Sequence, residues 1–194
     1  MKINLLIIEM NSEKSLEELE IIERYIILLL GVINKPIPSE VHLQKELFIL
    51  TQVNPIIKNR ISFEKHYYGP YSEVLSDLIR HPYFHSKPYS FNQLGELELL
   101  ENGRKIYNNL LRQYKDNKDF KRFLISMKLI RKMYEKLNID ELLFLIYSKY
   151  KDYIKRSDIV NKLFSKKRIL AKQLLNKGVI TLDRYKELVN LKWE

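Results

Sequence analysis

Apolar side chains along the first third of the chain recur with the period of a helix. From a Ser15 cap onward, Leu19, Ile22, Ile26, Leu29, Leu30 and Ile33 fall on one stripe, which predicts a helix over Leu16 to Ile33. Pro36 and Pro38 interrupt the pattern, and Ser39 is placed to cap a second helix running to about Thr51, with Leu43, Leu47, Phe48 and Leu50 on one side. Phe63 to Tyr68 reads as extended. A Gly69-Pro70 corner then leads into a third helix, Ser72 to Arg80, with Leu75, Leu78 and Ile79 inward. Tyr89-Ser90-Phe91 and Leu97-Glu98-Leu99 alternate around Asn92 to Gly95, the pattern of a hairpin or wing. A fourth helix follows, with Ile106, Leu110 and Tyr114 in line. Three helices, a small hairpin and a closing helix predict a winged-helix module over residues 1–115.

The polar stretch Lys115 to Asp119 marks the expected boundary, and residues 116–194 read as all-helical. Helices are predicted over Phe120 to Leu137, Asp140 to Tyr150, Asp158 to Phe164, Lys166 to Asn176 and Leu182 to Leu191. Gly178 is a helix stop and Thr181 a cap. The fold class is therefore mainly α, with one β-hairpin. There are no repeats and no low-complexity tract.

Charge changes this picture, because it is unevenly placed. The chain of 194 residues carries +10 overall. Residues 1–110 hold 12 Lys and Arg against 14 Asp and Glu, and residues 111–194 hold 22 against 10. The second module alone carries the excess, which points to an acidic partner. In the helix from Phe120, the positions Phe120, Phe123, Leu124, Met127, Ile130, Tyr134 and Leu137 form one face. Lys118, Lys121, Arg122, Lys128, Lys132 and Lys136 form the other, with Arg131 at the apolar edge, its stem snorkelling. A second cluster is Lys162, Lys166, Lys167, Arg168 and Lys172. In one unbroken helix Lys167 would point into the apolar face, so a break near Ser165, with Ser165 capping the next helix, is expected to free it to solvent. If the clusters share a surface, they would grip the phosphates of double-stranded DNA. A lysine-rich but solvated helix face is the plainer alternative.

Other chemistry is sparse. The third helix carries Glu73 and Asp77 against Arg80, a poor reader of a DNA groove. Pro82 interrupts the helix that His81 and His85 would need to share a metal, and no cofactor is expected. The absence of cysteine excludes disulfides and thiolate catalysis and fits a reducing, cytoplasmic setting. Asp140-Glu141 suit a helix N-terminus better than an acid–base pair. The expectation is a non-enzymatic protein without a membrane segment.

The stretch His66-Tyr67-Tyr68-Gly69-Pro70-Tyr71-Ser72, with Leu43-Gln44-Lys45 and Phe48 before it and Leu99 to Arg104 after it, resembles the YwgA-type proteins and the related Panacea (SocA-like antitoxin) domain. The resemblance covers roughly residues 15–114, with Leu100 where that pattern carries a capping Thr. It implies a prokaryotic winged-helix protein linked to gene regulation or toxin–antitoxin systems. The second module resembles C-terminal extensions of archaeal-looking proteins of this kind. Asp140 to Leu143 and Leu170 to Gly178 precede a helix-turn-helix start at Ile180 to Arg184, and the helix that would follow as reader is missing.

The tyrosines of the stretch His66 to Ser72 are expected to wedge between helices, with Gly69 or Ser72 capping the third helix. The alternative is that Tyr67, Tyr68 and Tyr71 form a partner surface. Two functions stay open: a small DNA-associated regulator that binds through its basic helices, or a protein-interaction module that masks a partner. A homodimer fits either.

Overall fold

The computed structural model describes residues 2–153 and 158–191, with side chains over 15–153 and 159–191. Helix α1 spans Lys2–Gly31 and α2 spans Glu40–Val53. A hairpin follows, β1 (Glu64–His66) with β2 (Gly69–Tyr71), then α3 (Glu73–Arg80). A second hairpin pairs β3 (Tyr89–Phe91) with β4 (Leu97–Leu99) and leads into α4 (Glu101–Gln113). The rest is helical: α5 (Lys118–Tyr134), α6 (Ile139–Lys149), a 3-10 turn at Lys151–Tyr153, α7 (Asp158–Ser165), α8 (Lys167–Asn176) and α9 (Leu182–Asn190). Mainly α with small antiparallel hairpins is thus the observed class.

The expected start of the first helix at Leu16 is corrected, since helical backbone continues back to Lys2 and Ser15 lies inside it. No Gly or Pro occurs between Lys2 and Leu30, so the backbone meets no breaker there. Ser39 does cap α2, its hydroxyl accepting the His42 N–H. Between α1 and α2, Ile37 pairs with Leu97 through two N–H···O bonds of 2.8 Å, adding a one-residue third strand beside the β3–β4 hairpin. Leu100 sits at the start of α4 without a side-chain cap, and its N–H instead donates to Pro88 O.

In the second half, Asn117 caps α5, Asn138 and Glu141 form a reciprocal capping box on α6, and Thr181 caps α9. Gly178 takes φ +67 and ends α8. The connection between α4 and α5 is short, Tyr114 to Asn117, and Lys118 and Asp119 already belong to α5. Helices on both sides of it share one apolar core, with Ile26 and Leu29 of α1 and Leu47 and Phe48 of α2 in the same cluster as Phe123, Met127, Leu142 and Ile146. Both α5 and α6 pack on α2, and α6 then carries α7 and α8.

Candidate interaction surfaces

The Gly-Pro corner belongs to the β1–β2 hairpin. Gly69 faces His66 across the ladder and takes φ +78, a backbone that suits glycine. Of the two expected caps it is Ser72 that takes the N-cap position of α3, with no side-chain bond, while Gly69 and Pro70 lie in β2. Both backbone groups of Ser72 are held by Gln44, whose amide donates to Ser72 O at 2.9 Å and whose carbonyl accepts Ser72 N–H at 3.0 Å. Next to it, Lys45 Nζ donates to Pro70 O at 2.8 Å. This explains why Gln44-Lys45 and Gly69 to Ser72 occur together: one pair of α2 side chains holds the strand that enters α3. Burial pulls the Lys45 ammonium down to about 7, with Glu40 opposing.

The three tyrosines do not form one wedge. Tyr71 is half-buried and stacks on His66 at 4.8 Å, while Tyr67 and Tyr68 are exposed at the hairpin tip. The wedging tyrosine is Tyr147 of α6, fully buried against Gly69, whose hydroxyl donates to Tyr67 O at 2.7 Å.

The surfaces with which a winged helix would meet DNA are acidic. On α3, Glu73 and Asp77 are exposed, and Arg80 is engaged by Glu40 at 3.1 Å. The β3–β4 hairpin offers Glu96, Glu98 and an exposed Leu94 at its tip, with no cation.

On α5, Lys118, Lys121, Arg122, Lys128 and Lys132 are exposed, as is Lys136, which lies just past the end of the helix and not on it as expected. Only Arg122 has an ion-pair partner among the described residues, Asp119 at 3.5 Å. This outward face is not purely polar, however. Ile125, Leu129 and Met133, spaced four apart, are 60%, 58% and 41% exposed. At 100° per residue they run along its middle, with Lys121, Lys128 and Lys132 on one flank, Ser126 on the other, and Arg122 in line with Leu129 two turns before it. The helix is apolar on two stripes, one buried and one bare. Reading only the inward stripe misses this ridge, although its i, i+4, i+8 spacing is visible in the chain.

Arg131 is corrected most. It does not snorkel but is fully buried, donating to Glu46 at 3.1 Å and to the carbonyls of Lys35 and Pro36 at 2.9 and 3.2 Å. Burial pushes the Glu46 carboxyl up to about 7, while the guanidinium against it pulls the other way. This pair ties α5 to α2 and to the turn before it, a contact 85 residues apart that no local pattern announces.

In the second cluster the break at Ser165 is present, but Lys166 rather than Ser165 takes the N-cap position of α8. Lys167 is not released to solvent: it is half-buried and its Nζ donates to Leu191 O at 2.8 Å. Lys162, Lys166, Arg168 and Lys172 are exposed, without ion-pair partners among the described residues. The link between this region and α5 lies at the opposite end of α8, where Lys177 bonds Lys136 O and Glu141.

His81 bonds Asp77, and His85 bonds the buried Glu23, which also accepts the N–H groups of Tyr83 and Phe84. Among the described residues no three His, Asp or Glu side chains gather to hold a metal, and no helix is long and apolar enough to cross a membrane. Comparison with models of known families, with curated proteins and with solved structures finds no match.

Proposed function

We propose that this chain is a winged-helix partner-binding module of the antitoxin-like or regulatory kind, in which the outward face of α5 docks an acidic, amphipathic protein segment. The winged-helix assignment is supported by the order α1, Ile37 strand, α2, α3, β3–β4, α4, with the β1–β2 hairpin inserted before α3. The observation that carries the function is the bare Ile125–Leu129–Met133 ridge set beside a lysine row. Phosphates need cations and gain nothing from three exposed aliphatic side chains. A protein segment with leucines flanked by carboxylates would use both. The acidic α3 and hairpin point the same way.

Association with double-stranded DNA is the second reading, supported by Lys162, Lys166, Arg168 and Lys172 together with the α5 lysines. A labelled helical peptide carrying Leu every three to four positions between Glu residues, and a labelled duplex, would be titrated at about 50 and 200 mM salt. The variants are Ile125→Ser with Leu129→Ser, and charge reversal of Lys121, Lys128 and Lys132. Partner docking predicts that either variant abolishes peptide binding. Tight duplex binding that ignores the serine pair and collapses on charge reversal would overturn it in favour of DNA.

A further inference from the structure

Between α1, α4 and α5 lies a cavity of about 380 Å³ that no role described so far uses. Its α5 lining is Phe120 and Phe123, on the side of the helix opposite the Ile125–Leu129–Met133 ridge, so the two surfaces are separate. The volume lies at the small end of the range for small-molecule pockets, about 300–1,000 Å³. Leu28, Leu110 and Phe123 give it an apolar body. Its polar groups are unevenly placed. Arg24 is part-exposed at the rim, bonded to Glu20 at 2.6 Å. Asn117 lines it with its side-chain oxygen already accepting the Phe120 N–H, and Asp119 lies at the rim with Arg122 at 3.5 Å.

Tyr25 is the informative residue. It is 92% buried with its ring edge-on to Phe123 at 5.3 Å, yet its hydroxyl has no hydrogen-bond partner among the described residues. Nor is that oxygen one of the sealed orphan atoms, which are Arg131 Nε and Glu141 Oε1. An accessible, unpaired hydroxyl on a residue that lines a cavity is a donor awaiting an acceptor. Arg24 lines the same cavity, and the Arg60 guanidinium, exposed and without an ion-pair partner among the described residues, acts on the hydroxyl through its charge.

We propose that the cavity binds a small carboxylate with an apolar body, its oxygens accepting from the Tyr25 hydroxyl near Arg24 and Arg60 and its chain or ring packed among Leu28, Leu110 and Phe123.

The test is titration of the full chain with decanoate, with decanol and decylamine as the neutral and cationic counterparts, all below their aggregation limits. Binding is followed by thermal shift and by backbone amide chemical shifts. Decanoate should saturate with Kd below about 1 mM, and decanol should bind about tenfold more weakly. The amide shifts should cluster around Tyr25, Leu28, Leu110 and Phe123. Tyr25→Phe should bring decanoate down to the affinity of decanol, and Leu110→Trp should block both. Because Leu110→Trp can fail to fold, the amide map of the unaltered chain stands as an independent criterion. No saturation by decanoate, shifts centred elsewhere, equal affinity for the three probes, or full decanoate affinity in Tyr25→Phe would each overturn the proposal.

Discussion

Replacing Arg131 by methionine isolates the buried pair that joins α5 to α2. The substitution keeps most of the stem's volume but removes the guanidinium from Glu46, Lys35 O and Pro36 O. Breaking a fully buried pair by deleting one partner costs about 3–5 kcal/mol. The cost has two parts with different pH dependence. The lost bonds to the two carbonyls and the lost packing do not titrate. The stranded Glu46 does, because its folded value is already about 7 with Arg131 beside it and rises further without it.

Above pH 7 the unaltered protein holds Glu46 ionised, while the folded variant must take up a proton that its unfolded chain does not carry. The cost therefore grows with pH from about 7 to the variant's new value, by up to about 1.4 kcal/mol per pH unit. Urea unfolding followed by circular dichroism at pH 6 and pH 8.5 separates the two parts, with the larger loss expected at pH 8.5. Adding Glu46→Leu should recover the titrating part and leave the double variant more stable than Arg131→Met alone at the higher pH. An equal loss at both pH values, or a double variant no more stable than the single one, would refute this account of the pair.

Lys45→Met addresses the neighbouring lysine. In the folded chain the ammonium titrates at about 7 against an ordinary 10.5, so between those values only the unfolded chain carries its proton. The unaltered protein should gain stability as pH rises from 7 toward 10, by at most about 5 kcal/mol, and the variant should lose that slope in urea titrations. Gln44→Ala strands the Ser72 N–H, while Ser72 O keeps its bond from the Ser76 N–H, and should cost about 1–3 kcal/mol in the same assay. Gly69→Ala forces a side chain into φ +78 with its Cβ 2.9 Å from the Tyr147 ring, and should lower thermal stability by roughly 1–3 kcal/mol. Gly103→Ala, whose Cβ would strike the Pro88 carbonyl, should be worse tolerated than Ala at the open Gly95 and Gly178, judged by soluble yield and melting temperature.

What the chain discloses locally and what it hides divide along physical lines. The ends of α2, α3, β3, β4 and α9 were readable to within about two residues, because Ser39, Thr181, the prolines and the alternating segments act on their own neighbours. The start of α1 was not, because Ser15 has the chemistry of a cap and nothing nearby forces it to be one. The β1–β2 hairpin was hidden because a Gly-Pro pair suits a helix entrance as well as a strand, and the choice falls to Gln44, Lys45 and Tyr147, up to 80 residues away. Of the candidate surface residues, the lysines of α5 were legible as one face. The ridge among them was not, since an exposed aliphatic is recognised only once the opposite stripe is known to be the buried one. Lys167 and Arg131 were misplaced for one reason: a long cationic side chain goes wherever distant carbonyls or carboxylates receive it.

The Arg131–Glu46 pair also sets an order of events during synthesis. Glu46 has no exposed surface in the finished protein, and its cationic partner lies 85 residues further along. A nascent chain ending near Lys115 holds α1 to α4 and both hairpins, yet it presents α2 with a bare carboxylate and an open apolar flank where Phe123, Met127 and Ile146 will later sit. The Gly-Pro hairpin likewise waits for Tyr147. The amino-terminal half therefore cannot close on the ribosome until α5 and α6 have emerged, and a premature stop in between leaves a sticky, unfinished intermediate suited to chaperone capture.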